Sequence, residues 1–76
     1  MSKHLSELKP GEQGVVVKVK GNGPVYRRIV DMGIVPGANI TVLKFAPLGD
    51  PIEIKVKGFN LSLRKSEASM IQLEGA

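Results

Sequence analysis

Residues 27–42 read RRIVDMGIVPGANITV, and the reading of this stretch decides the fold. In PVYRRIVDM, residues 24–32, the apolar side chains of Val25, Ile29 and Met32 recur at i, i+4 and i+7, one stripe of a helix, while Arg27, Arg28 and Asp31 face elsewhere. Pro24 suits the first helical turn, where its missing N–H is not needed. Gly33 then stands where a helix takes a left-handed residue, and Ile34 after it can fold back onto Ile29. Pro36 and Gly37 fit the central positions of a type II turn, because proline sets the first φ and glycine supplies the positive second one. The stretch therefore predicts helix, glycine stop, turn and strand.

Working outward, NITVLKFA (39–46) is β-branched and apolar, although Ile40, Val42, Leu43 and Phe45 break strict alternation and predict a bulge. Upstream, EQGVVVKVK (12–20) alternates, with Val15, Val17 and Val19 predicted inward and Val16, Lys18 and Lys20 on a wet face. Downstream, PLGDP (47–51) is a turn by composition. Ile52, Ile54 and Val56 then alternate with Glu53, Lys55 and Lys57, and Gly58 permits a tight hairpin into Phe59, Leu61 and Leu63, which continue the inward face. KSEASM (65–70) suits one helical turn, and MIQLE supplies a last strand that closes the sheet. Short strands, close-set turns and one brief helix after the first strand predict a mainly β protein, a small antiparallel barrel occupying residues 1–76 as a single domain.

At 76 residues such a domain buries roughly 60% of the surface its unfolded chain exposes, which leaves room for a surface patch rather than a deep cavity. There is no cysteine, so thiolate metal sites and disulfides are excluded. The N-terminus lacks the apolar core of a secretory signal, and no apolar run approaches a membrane span; a cytoplasmic location is expected. The net charge of +4 raises nucleic acid as a partner, but lysines and arginines are interleaved with acids along the chain.

The chain resembles the FeoA family, ferrous iron transport protein A. The resemblance is carried by LSELKPGEQGVVVKVKG at the front, YRRIVDMGIVPGANITVL in the middle and PLGDPIEIKVKGFNLSLRKSEASMIQL at the end. It implies an SH3-like barrel and a cytosolic accessory role beside the membrane GTP-driven ferrous iron transporter, FeoB, whose cytoplasmic region would be the partner. Similar domains occur at the C-terminus of metal-dependent repressors. No helix-turn-helix segment precedes the barrel here, which favours the free-standing transport role.

The residues supply no catalytic constellation, and the chain is expected not to be an enzyme. His4, the single histidine, lies in a terminus expected to fray, and Asp31 and Asp50 have ordinary roles as a helix-surface charge and a turn former. Iron(II) favours clustered imidazoles and carboxylates, so no tightly bound metal is expected. A weak divalent transition-metal site would use His4 with Glu7. Met32, Met70, Phe45 and Phe59 are assigned to the core.

Tyr26 beside Arg27 and Arg28 could stack a base, yet a helix face for a protein partner fits the wider sequence better, and no nucleic acid is expected. The predicted docking residues are Tyr26, Arg27, Arg28 and Asp31 on the helix and Pro47, Leu48 and Asp50 in the loop, with Gly33, Pro36, Gly37 and Gly58 structural. Weak self-association is left open.

Overall fold

The computed structural model describes residues 2–75. In chain order these form β1 (Ser2–His4), a 3-10 turn (Leu5–Glu7), β2 (Gln13–Val19), α1 (Gly23–Asp31), β3 (Asn39–Phe45), β4 (Ile52–Val56), β5 (Phe59–Leu63), α2 (Lys65–Ala68) and β6 (Ile71–Gly75). All strand pairings are antiparallel in one six-stranded sheet of order β1-β6-β2-β3-β4-β5.

The protein is mainly β, as its sequence predicts, but no ladder closes the sheet among the described residues. Its two edges are β1 and β5. The terminal strand β6 does not close the sheet: it lies between β1 and β2. After β5 the chain turns into α2, which packs on the 3-10 turn, so helical segments rather than strand pairing connect the two ends of the sheet.

The decisive stretch folds as its chemistry requires. Gly33 has φ +90, the N–H of Gly33 donates to the carbonyl of Val30, and that of Ile34 donates to the carbonyl of Ile29. This pair of bonds is a Schellman ending, and it brings the fully buried Ile34 back onto the fully buried Ile29. Ala38 N–H then closes the Pro36-Gly37 turn on Val35, while Gly37 N–H donates to Val16 and fastens the turn to β2. Val25, predicted to join the helix's apolar stripe, is 42% exposed instead, because it sits in the first turn, beyond the part of α1 that touches the core.

Two bulges shape the sheet. In β3 the register shifts between Val42 and Lys44, so Ile40 and Val42 are buried, Leu43 is turned out, and Phe45 returns to pack against the core, as the broken alternation predicts. In β2 the shift lies between Val16 and Lys18. The predicted inward set of Val15, Val17 and Val19 is corrected by it: Val16 is buried and Val17 exposed, and only past the extra residue does Val19 pack against the core. On β4, Ile52, Ile54 and Val56 are buried as predicted. On β5, Leu63 is buried and Leu61 half-buried, but Phe59 is 71% exposed and not a core residue. It stands on the edge strand, with a neighbouring strand on one side only, whereas Val56 opposite it lies on β4 between two strands and is buried.

Among the described residues no helix is long and apolar enough to cross a membrane.

Candidate partner-docking surface

The buried side of α1 is given by Ile29, with Met32 packed against the core beside it. Arg27 and Asp31 lie on the opposite side, about 160° around the helix from Ile29, and both are exposed. Together with Gly23, Pro24, Tyr26 and the half-buried Val30 they line a groove open to solvent. Tyr26 is 38% exposed, with an apolar ring and a hydroxyl that suit a half-wet contact. Arg27 and Asp31 stand one helical turn apart, and neither has an ion-pair partner among the described residues. The groove thus offers an aromatic, a cation and an anion on one rigid element.

Arg28 does not belong to this group. It is rotated about 100° from Arg27 around the helix and pairs with Glu67 of α2. The Glu67 side chain is buried, and its other oxygen accepts the Arg64 N–H at 2.9 Å, so the carboxylate ties α1 to the start of α2. Half of the predicted arginine pair is therefore structural.

The loop residues are also separate from the groove, whose lining includes none of Pro47, Leu48 or Asp50. Asp50 Oδ1 accepts the Lys65 N–H at 2.9 Å, which satisfies one of the free donors at the start of α2. Its role is to fasten the loop. Leu48 is 96% exposed at the loop tip, with Pro47 exposed beside it, and no core contact explains either residue.

At the N-terminus the structure corrects the expectation of fraying. His4 belongs to β1, opposite Gln72 of β6. Its N–H donates to Glu7 Oε1 at 2.9 Å, and its ring Nδ1 lies 3.1 Å from the same oxygen. The backbone N–H of His4, followed by its ring, holds the Glu7 carboxyl below the ordinary glutamate range. The two predicted metal ligands are thus brought together, but among the described residues no group of three or more histidine, cysteine, aspartate and glutamate side chains gathers there or elsewhere.

Phe59 departs furthest from its predicted burial, at 71% exposed. Phe59 lies on the core-facing side of an edge strand, and its assignment to the core followed from alternation alone. No local signal distinguishes it from Val56, which flanks the same loop on the same face and is buried; what differs is that β5 is the edge of the sheet, which only the strand order reveals.

Comparison with known proteins gives a consistent result. The FeoA domain family matches residues 3–75. The Fe(2+) transport protein A/Fe(2+) transporter FeoB fusion protein of Porphyromonas gingivalis is 46% identical over 70 residues, which cover 92% of this chain and 8% of that protein. The chain therefore spans only a small part of that relative. A crystal structure of an iron uptake regulatory protein, FeoA, superposes with a TM-score of 0.89 at 36% identity, covering 100% of this chain and 99% of the other. The zinc-complexed FeoA of Stenotrophomonas maltophilia, described as a prokaryotic SH3 domain protein, gives a TM-score of 0.83 at 29% identity, over 95% of this chain and 89% of that one.

Proposed function

The chain belongs to the FeoA family, and on that premise we propose that it is a non-enzymatic accessory protein of ferrous iron uptake, which acts in the cytoplasm by docking on the cytoplasmic region of the FeoB-type transporter. The observation that carries this reading is the relative in which a domain 46% identical to this chain is fused to an FeoB transporter. A fusion holds two modules at high effective concentration, an arrangement that makes sense where the separate proteins must meet.

The outer groove of α1 supports the reading from the side of the structure. Tyr26, Arg27 and Asp31 are exposed on a helix whose other face is locked into the core. A rigid aromatic beside an unpaired arginine is the composition of an interface centre. The test is binding of the whole protein to the soluble nucleotide-binding region of the transporter, followed by calorimetry. Tyr26→Ala with Arg27→Ala is expected to weaken binding at least tenfold without unfolding the protein. Absence of binding by the unaltered protein at high micromolar concentration would overturn the reading.

A weak divalent-metal role is the second reading, favoured by the 3.1 Å approach of His4 Nδ1 to Glu7 Oε1. Imidazole and carboxylate are a suitable donor pair for iron(II). Stoichiometric saturation in an anaerobic iron(II) titration, abolished by His4→Ala, would establish it.

A further inference from the structure

Lys57 and Gly58 form the two-residue loop between β4 and β5, both with positive φ, 51° and 84°. In such a hairpin the flanking residues, Val56 and Phe59, are a hydrogen-bonded pair, and bonded and non-bonded pairs alternate from there along the ladder. Leu61, opposite Ile54, and Leu63, opposite Ile52, therefore also bond to β4. The backbone N–H and C=O groups of Asn60 and Ser62 point the other way, to the open edge. No hydrogen bond engages them among the described residues.

Edge strands are usually protected by charges, proline or brevity. β1 has this protection, being three residues long and carrying Lys3. β5 reads FNLSL, with no charge and no proline. Beside its open groups lie the exposed ring of Phe59 and the half-buried Leu61, both on the core-facing side, where alternate side chains of an added strand would land.

The surroundings select the occupant. Lys55, Lys57, Arg64 and Lys65 flank the strand, all exposed and none in an ion pair among the described residues. Glu53, the acid of this hairpin, is already 3.4 Å from Lys44. A second copy of the chain is disfavoured: antiparallel pairing of β5 with itself through Asn60 and Ser62 would set Lys57 against Lys65 of the other copy, and like charges placed opposite each other repel. The Lys57 side chain at the hairpin tip reaches toward the glycine stop that follows α1: its Cδ and Nζ lie 3.7 Å from where a Cβ on Gly33 would stand.

We infer that β5 is a strand-addition site, and that its occupant is an extended, carboxylate-bearing segment of the transporter's cytoplasmic region, held by the backbone groups of Asn60 and Ser62 with apolar side chains against Phe59 and Leu61. This rests on the docking role given under Proposed function and assigns it a contact outside the α1 groove.

The experiment combines amide exchange on the whole protein with calorimetry against the transporter's soluble nucleotide-binding region. Alone, the protein should exchange Asn60 and Ser62 rapidly and Leu61 and Leu63 slowly. In the complex, the Asn60 and Ser62 amides should become protected. Ser62→Pro removes an edge donor without removing a bond to β4, and it should weaken binding at least tenfold. Lys55→Glu with Lys57→Glu, exposed positions that leave the edge backbone intact, should do the same. Failure of the unaltered protein to bind would sink the docking role itself. Binding that leaves Asn60 and Ser62 unprotected and is indifferent to both variants would overturn the strand-addition site alone. So would protection of those amides that grows with protein concentration in the absence of partner.

Discussion

Arg28 on α1 reaches across to Glu67 on α2, and it joins a half-exposed guanidinium to a carboxylate whose side chain is only 5% exposed. Glu67 also accepts the Arg64 N–H, so one buried acid holds both helices. A buried carboxylate is tolerated where its charge and lone pairs are matched. Here the match is one cation from the solvent side and one backbone donor from below.

The first prediction concerns that pair. Arg28→Ala leaves the Glu67 carboxylate buried without its cation, and the loss should be about 1.5–3 kcal/mol, the range for hydrogen bonds to charged groups. Urea denaturation of the two proteins measures it. Arg27→Ala, one residue away on the exposed face, should change stability by less than about 0.5 kcal/mol. Equal effects of the two substitutions would refute the division of the arginine pair into one structural and one free residue.

Close approach, rather than conformation, governs Gly14. A Cβ there would stand 2.9 Å from the carbonyl oxygen of Glu74 and 3.1 Å from Leu73 Cβ, both on β6. The nearer obstacle is backbone and cannot swing aside. Gly14→Ala should therefore destabilise by about 1–3 kcal/mol, the usual penalty for overpacking, with the β2 and β6 amides losing protection first.

What could be foreseen from the sequence divides along the range of the interactions involved. The Schellman ending at Gly33, the Pro36-Gly37 turn and the Lys57-Gly58 hairpin are each set by a few consecutive residues, and all three were legible. The bulge in β3 was legible too, because an extra apolar residue interrupts the alternation. The bulge in β2 was not, since in a run of three valines only the partner strand β6 decides which one is extra. For the same reason β1 escaped notice: three polar residues become a strand only by pairing with β6. At the candidate site, local pattern placed Tyr26, Arg27, Arg28 and Asp31 on the exposed side of the helix but could not reveal that Arg28 is claimed by a glutamate from α2.

The depressed Glu7 carboxyl fixes the sign of a pH effect. Its backbone hydrogen bond from His4 stabilises the ionised form in the folded protein and not in the unfolded chain. The folded value lies below the unfolded one, near 4.3 in ordinary peptides, so the unfolded state takes up its proton first as the medium is acidified. The contribution is complete above the ordinary glutamate range and is lost as pH falls from there through the lower folded value. Glu7→Gln should flatten that part of the acid limb in a stability-versus-pH series and leave stability at neutral pH little changed in slope. A direct check is the Glu7 carboxyl titration by NMR, where a midpoint at or above the ordinary range would contradict the hydrogen bond.

The last prediction separates alternation from burial. Phe59 and Ile54 lie on the same face of the β4–β5 hairpin by register, yet Ile54 is fully buried and Phe59 is 71% exposed. Truncating a buried isoleucine forfeits both its transfer free energy and the contacts around the cavity it leaves, so Ile54→Ala should cost about 2–5 kcal/mol. The Phe59 ring has little transfer free energy to lose, and Phe59→Ala should cost less than about 1 kcal/mol. Urea midpoints at unchanged m-value give both figures. A loss at Phe59 as large as that at Ile54 would mean that the ring is covered in solution, and the hairpin tip could not then serve as an open edge. A small loss would leave an aromatic residue that folding does not require on a strand whose Asn60 and Ser62 backbone groups have no partner among the described residues, the condition that strand addition needs.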